Sequence, residues 1–429
     1  MVTMLLSDLK SFKTMAPAFI VAVALMLLAS LTLIPAILSL IGPKVFWPSK
    51  GWKSAPRSRV WKGLAGQIAR HPGRMGLISG VVLVALAAGT LFMHSNYDIS
   101  GSLPSNTKSA EATRQLEQSF PAGALSPTQI YVTSSKPVPA ADLTKLSTLL
   151  AGADGVGAVA PAVLNKSGTT AAINVSLKAS PYSTEALNAV NKIKDLVHAA
   201  AQPGERVVVG GQTMAFADMR SAVNRDYSVV FPAAALLILI ILVILLRSVI
   251  APLHLLVGVW LGFGATLGAS VITFQGVMGD AGTMFMMPMI CYVFVVAVGS
   301  DYNILLTTRL REEIMEGASP HDAAAMAVQH AGPTVAAAGL ILAGTFGSMM
   351  LSGVSLLSQM GFSVMVGILL VAIIMASILI PSVATVLGRR IWWPGHQLDR
   401  SLPKGTVEPV DETIDAPVET GIPAEEPAV

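Results

Sequence analysis

Hydrophobic and polar positions fall in long blocks along the chain. Seven apolar runs stand at about 16–41, 75–93, 229–246, 252–274, 282–308, 332–351 and 362–387. Each is close to the roughly 20 residues a helix needs to cross the hydrocarbon of a bilayer. Between the second and third runs the period changes. "TQIYVTSS" (128–135) reads as a strand, and 140–151 as a helix carrying Leu143, Leu146, Leu149 and Leu150. "GVGAVAPAVLN" and "TTAAINVSLKA" read as two strands across a polar turn near 166–168, followed by an amphipathic helix over 183–201 and a last strand, "RVVVGG" (206–211). The order βαββαβ is the split-βαβ, ferredoxin-like pattern. Stretches 106–120 and 212–226 read as helices joining this unit to the membrane. The expected fold is a polytopic α-helical membrane protein with about seven transmembrane helices and one porter-type α/β domain.

Composition agrees. The chain is 53% hydrophobic and only 12% charged, more apolar surface than a soluble domain can hide. A net charge of +3 gives no reason to expect a nucleic-acid partner, and its distribution says more. Lys44, Lys50, Lys53, Arg57, Arg59, Lys62, Arg70 and Arg74 lie between the first two runs with no acid among them. By the bias of basic residues toward the cytoplasm, 42–74 is expected to be a cytoplasmic linker and 94–228 an extracytoplasmic domain. Arg247, Arg309, Arg311, Arg389 and Arg390 fall on the cytoplasmic side of the same topology. Tryptophans 47, 52, 61, 392 and 393, beside these clusters, read as interface anchors. Residues 396–429 are rich in proline and acid and read as a disordered cytoplasmic tail. The first run is no cleaved leader, being too long and without a small-residue cleavage site. The single cysteine, Cys291, excludes an intrachain disulfide.

A repeat is visible. "LTLIPAILSLIGPKVFWP" (31–48) matches "SILIPSVATVLGRRIWWP" (377–394), pairing Pro35 with Pro381, Gly42 with Gly388, Lys44 with Arg390, Trp47 with Trp393 and Pro48 with Pro394. Upstream, "LSDLKSFKTM" (6–15) lies over "LSGVSLLSQM" (351–360). Internal repeats are a common architecture of secondary transporters. With an offset of about 345 residues, the chain is expected to hold the end of a first repeat (1–41) and a whole second one, with five helices of its bundle in 229–395. Residues 1–6 then read as the last turn or two of an earlier helix.

"VAVGSDYNILLTTRLREE" (295–312) carries the one candidate for chemistry. Asp301 is the only charged residue between 281 and 308. An ionised acid at the centre of a membrane helix costs at least about 2.5–3.5 kcal/mol, so intramembrane acids usually serve function. The alternative is a hydrated position near the cytoplasmic end, with Arg309 two turns on. Ser300 and Asn303 flank the acid, and Thr345 and Ser348 stand on the next helix as possible neighbours, although small and hydroxylated residues also serve close packing. No metal-ligand set, Walker loop, His-Glu-x-x-His pair or nucleophile elbow is present. No enzymatic activity, cofactor or bound nucleotide is therefore expected, and energy has to come from an ion gradient or a partner.

"GGQTMAFADMRSAVNRDYSVVFPAAALLILIILVILLRSVIAPLHLL" (210–256) and the Gly-x-Asp-Tyr block resemble the second half of the MmpL family of the RND superfamily. "LSDLKSFKTMAPAF" with "LTLIPAILSLIG" resembles the end of that family's first half. The resemblance implies twelve helices in two repeats, and export of lipids, glycolipids or other hydrophobic molecules driven by protons. It assigns a proton relay to Asp301 and Tyr302, with Ser300, Asn303, Thr345 and Ser348 as possible neighbours. Implied partners are membrane lipids, a hydrophobic substrate, protons, and either a complementary first-half chain or further copies of this one. The competing expectations are a lipid-binding or sensing protein without transport, and an inactive truncated half-transporter.

Overall fold

The computed structural model describes residues 2–47, 59–98, 107–121 and 123–394. The acidic tail, Trp52 and part of the basic linker lie outside the described residues. Seven helices among those described are long and apolar enough to cross a membrane, as the hydropathy pattern predicts. They are α1 (Lys10–Ile41), α3 (Pro72–Ala88), α7 (Gln212–Leu246), α8 (Ile250–Val271), α9 (Met287–Met315), α10 (Pro320–Gly347) and a last helix in three parts. That helix runs from α11 (Ser355–Leu369) through a π-helical segment (Leu370–Leu379) into α12 (Ile380–Leu387). A short amphipathic helix, α2 (Arg59–Arg70), precedes α3.

The bundle closes through small residues. A side-chain carbon added at Gly268 of α8 would lie 1.8 Å from the Leu86 carbonyl oxygen of α3, so backbone meets backbone there, as small residues allow in membrane helices. Gly258 and Gly262 of α8 and Gly299 of α9 leave room in the same way for Met375 in the π segment. On the other side, Phe231 of α7 stacks on Tyr292 of α9 with centroids 3.8 Å apart, and the Tyr292 hydroxyl donates to the Phe231 carbonyl at 2.8 Å. Helix α1 stands apart. Its Leu25, Met26, Leu28 and Leu31 are 63–70% exposed.

Inserted between α3 and α7 is the α/β domain. Strands β2 (Thr128–Ser134), β3 (Val156–Val159), β4 (Val163–Leu164), β5 (Thr170–Leu177) and β6 (Glu205–Gly210) form one antiparallel sheet in the order β3-β5-β2-β6, with β4 beside β5. Helices α5 (Ala140–Ala151) and α6 (Thr184–Ala200) follow β2 and β5. This is the ferredoxin-like order the sequence predicts. Alternation along β2 and β5 supplies the core, Ile130, Val132, Ile173 and Val175, against Leu143, Leu150, Ile193 and Val197 of the helices. Helix α4 (Lys108–Ser119), capped by Thr107, precedes the domain.

Two joints hold domain to bundle. A short parallel ribbon pairs β1 (Ser95–Asn96) with β7 (Thr283–Met284), and Tyr97 beside it stacks on Phe285 at 4.9 Å while meeting Phe216 of α7. Helix α7 is the other joint. The stretches read as a joining helix (212–226) and a span (229–246) form one helix of 35 residues. At 1.5 Å per residue it is about 52 Å long, well beyond a hydrocarbon layer about 30 Å thick. Similarly, the polar stretch after Ser319 continues without a break into α10, with the Ser319 hydroxyl accepting from the Asp322 amide at 3.2 Å.

The repeat persists in the backbone. Gly42 and Gly388 end their helices with φ of +57° and +55°, a conformation open to glycine and strained for other residues. A 3-10 turn follows each, over Gly42–Phe46 and Gly388–Trp392, and Trp47 and Trp393 close them through Lys44 and Arg390 carbonyls. Even the first 3-10 turn, Val2–Leu6, has its counterpart in Ser348–Ser352 ahead of α11.

Candidate functional site

Asp301 lies midway along α9, 14 residues from Met287 and 14 from Met315. It occupies an exposed stripe with Ala297 and Leu305, at the four-residue spacing of one helix face. Among the described residues it has no hydrogen bond or ion pair. Tyr302, about 100° round the helix, turns the other way. Its ring is half-buried in the seam between α9, Val335 of α10, and Ala372 and Ala376 of the π segment. Gly339 of α10 lets Ala372 approach, since a side-chain carbon there would stand 2.7 Å from the Ala372 methyl, and it lies within ordinary contact distance of the Tyr302 ring. The divergence expected of adjacent helical residues is therefore what the structure holds.

The proposed neighbours are placed differently. Ser300 spends its hydroxyl on the Val296 carbonyl of its own helix at 2.7 Å. Thr345 and Ser348 donate to Ile341 and Thr345 carbonyls, at 3.0 and 2.7 Å. Both lie on an exposed stripe of α10 with Thr334, Ala338 and Ile341, and neither hydrogen-bonds to Asp301. Asn303 faces the bundle interior, fully buried, with both amide atoms unpartnered among the described residues. Thr307, one turn on, is buried and unpartnered too. The α9 stripe is exposed with a single acid in it, and the α10 stripe is exposed and partly hydroxylated. Past the acid, Glu313 is buried, with Arg309 Nη2 at 2.9 Å and His330 Nδ1 of α10 at 3.5 Å.

Sequence reading missed one polar site. Asp226 of α7 is fully buried, and its carboxylate accepts the Ser7 hydroxyl, the Asp8 amide at 2.8 Å and the Leu9 amide at 3.5 Å. Leu9 is the N-cap residue of α1, so an acid from α7 caps α1 from outside. Arg225 pairs with Asp8 at 2.8 Å beside it. The only signal in the sequence is an acid close to the membrane end of an amphipathic stretch. Two tryptophans read as interface anchors also pack inward. Trp61 covers Gly332 of α10, and Trp392 is buried with Arg311 5.9 Å from its ring centroid. Trp47 and Trp393 are exposed.

The model of the MMPL family matches residues 1–75 and 101–405, nearly the whole described chain. The chain belongs to the MMPL family. It is a multi-pass membrane protein by its helices and by its relatives. A membrane protein of Streptomyces coelicolor is 34% identical over 399 residues, covering 89% of this chain and 46% of that protein. The apo-petrobactin exporter of Bacillus anthracis is 30% identical over 418 residues, 92% of this chain and 55% of the exporter. The acyltrehalose exporter MmpL10 of Mycobacterium tuberculosis is 33% identical over 251 residues, 57% of this chain and 25% of that protein. The chain spans about half the length of the curated relatives it matches over most of its own.

Proposed function

We propose that this chain works as part of a proton-driven exporter of lipids or other hydrophobic molecules. The observation that carries the reading is Asp301, an acid without a protein partner halfway along a membrane helix, on an otherwise apolar exposed face. Membership of a family that includes a petrobactin exporter and an acyltrehalose exporter supports the transport class. In this reading the α/β domain is extracytoplasmic and the tail cytoplasmic, as the basic clusters favour. No catalytic chemistry is assigned to the chain.

Asp301 takes up a proton and loses its charge, and Tyr302, in the seam with α10, senses the change. Removing a charge worth about 2.5–3.5 kcal/mol biases two arrangements of α9 by roughly 60- to 300-fold, at 1.4 kcal/mol per tenfold. Asp301→Asn keeps the shape and cannot cycle a proton, so it is expected to abolish transport while the protein inserts normally. Tyr302→Phe removes one hydroxyl and is expected to impair transport without abolishing it. The measurement is efflux in vesicles with an imposed pH gradient. Wild-type rates in Asp301→Asn would sink the relay. Lipid binding with no proton-dependent efflux in any assembly would favour a sensing role instead.

A further inference from the structure

Helix α2 (Arg59–Arg70) carries two faces of opposite chemistry. Its apolar face is spent on the bundle. Ala65 and Ile68 are buried, and the Trp61 ring covers Gly332 of α10, where a side-chain carbon would stand 2.6 Å from it. Positions 59, 62, 63, 66 and 70 share the other face, at spacings of three and four. They are Arg59, Lys62 and Arg70 with Gly63 and Gly66 between them. The three cations are exposed, and none makes a hydrogen bond or ion pair among the described residues.

The two glycines are not packing positions. A side-chain carbon at either would meet nothing within 4 Å, and glycine is a poor helix former. Their effect is to leave the backbone bare between the cations. Lys62 and Arg70 stand about 12 Å apart along the axis at 1.5 Å per residue, a gap that their long side chains can close on a group lying between them. Both ends of α2 are tied to the level where hydrocarbon begins. Trp61 meets Gly332, the first residue of the apolar run 332–351, and α3 starts at Pro72, just ahead of the run 75–93. A helix held at both ends at that level lies along the membrane surface, and its face turned from the bundle meets headgroups. Val60, next to Arg59, is 76% exposed, which suits a lipid surface and adds nothing for a soluble anion. We infer that this face binds the headgroup of an anionic phospholipid, its phosphate over Gly63 and Gly66 and held by Arg59, Lys62 and Arg70. Arginine's planar fork matches phosphate oxygens, and lysine adds a point charge. The lipid is a fixed neighbour of the fold and not cargo, so the inference stands or falls apart from the exporter reading.

The test uses the full chain in phosphatidylcholine nanodiscs doped with a photoactivatable probe, either phosphatidylglycerol or phosphatidylcholine with the same reactive group. Crosslinks mapped by mass spectrometry are expected within 59–74 for phosphatidylglycerol. They should exceed those of the phosphatidylcholine probe at least about tenfold at low salt and weaken as salt is raised. Replacing the three cations together, Arg59→Gln, Lys62→Gln and Arg70→Gln, is expected to bring the two probes level. Gly63→Leu with Gly66→Leu keeps every charge and fills the bare stretch, so it is expected to remove most of the preference at an unchanged melting temperature. A wild-type preference in that leucine variant would overturn the site, because charge alone would then account for the labelling. Equal labelling of the unmodified chain by the two probes would also overturn it, and that comparison needs no variant to fold. Inorganic phosphate in large excess is expected to displace no more labelling than sodium chloride of equal ionic strength. Specific displacement by phosphate would mean a site for a soluble anion and would overturn the lipid.

Discussion

Asp226 shows what one buried carboxylate does in this molecule. It accepts from the amides of the N-cap residue and the residue before it, the part that a side chain at the third helical position plays in a capping box, but from another helix, and it ties α1 to α7. Asp226→Ala leaves the Asp8 amide without its acceptor, leaves the Leu9 amide only the Ser7 hydroxyl at 3.1 Å and the Ser7 hydroxyl only the Leu9 carbonyl at 3.4 Å, and removes a charge-assisted contact. The expected cost is about 2–3 kcal/mol, read as a lower melting temperature in detergent together with faster hydrogen exchange at Asp8 and Leu9. Asp226→Asn keeps one acceptor oxygen and should lose about half as much. Unchanged exchange at both amides in the alanine variant would remove the cap from the account. Asp226 was illegible, and the burial of Asn303 with it, for a common reason. A polar residue in a sequence says that it needs partners, and only the fold says whether water or another helix supplies them. Asp301 was legible because no other charge stands between 281 and 308.

Among the elements, the seven spans and the ferredoxin-like strand order follow from hydrophobic period, which is local. The joints do not. Hydropathy reports the solvent around a segment rather than its backbone, so α7 looked broken where a continuous helix leaves the membrane, and the run at 332–351 covered only part of α10. The π segment, Leu370–Leu379, is uniformly apolar and gives no sign of its changed hydrogen-bond register. Its cause lies in packing, since it wraps Met375 against Gly258, Gly262 and Gly299. The tightest seam is α3 against α8. A methyl group at Gly268 would fall 1.8 Å from a backbone oxygen that no side-chain rotation can move. Gly268→Ala is expected to push the two helices apart at a cost of about 1–3 kcal/mol. Gly276→Ala, in open space eight residues on from Gly268, should be near neutral. Equal thermal stability of the two variants would show that the seam relaxes freely.

For the whole molecule, the question is what covers the exposed stripes of α9 and α10. Asp301 and Leu305 lie on the exposed stripe of α9, and Ile341 and Thr345 on that of α10, and a single acid supplies about 2.5–3.5 kcal/mol of proton-dependent bias. Switching a two-state equilibrium from 1:99 to 99:1 takes about 5.5 kcal/mol. One acid falls short of that and two reach it. The repeat points the same way, since the 3-10 turns flanking α1 match those flanking the last helix in backbone as well as sequence, and a repeat of α9 would bring a counterpart of Asp301. We therefore expect transport to require a second bundle bearing its own acid against these stripes, from a complementary segment or from another copy. Helix α1, exposed along most of its length, has no equivalent place in a symmetric pair, which favours the complementary segment. Residues 1–429 expressed alone in a host lacking related exporters should insert and show no proton-dependent efflux of hydrophobic dyes. Co-expression with a first-half segment of a relative should restore efflux, and Asp301→Asn should remove it again. Robust efflux from the chain alone, surviving dilution that separates any dimer, would mean that one acid suffices and that the exposed stripes need no second bundle.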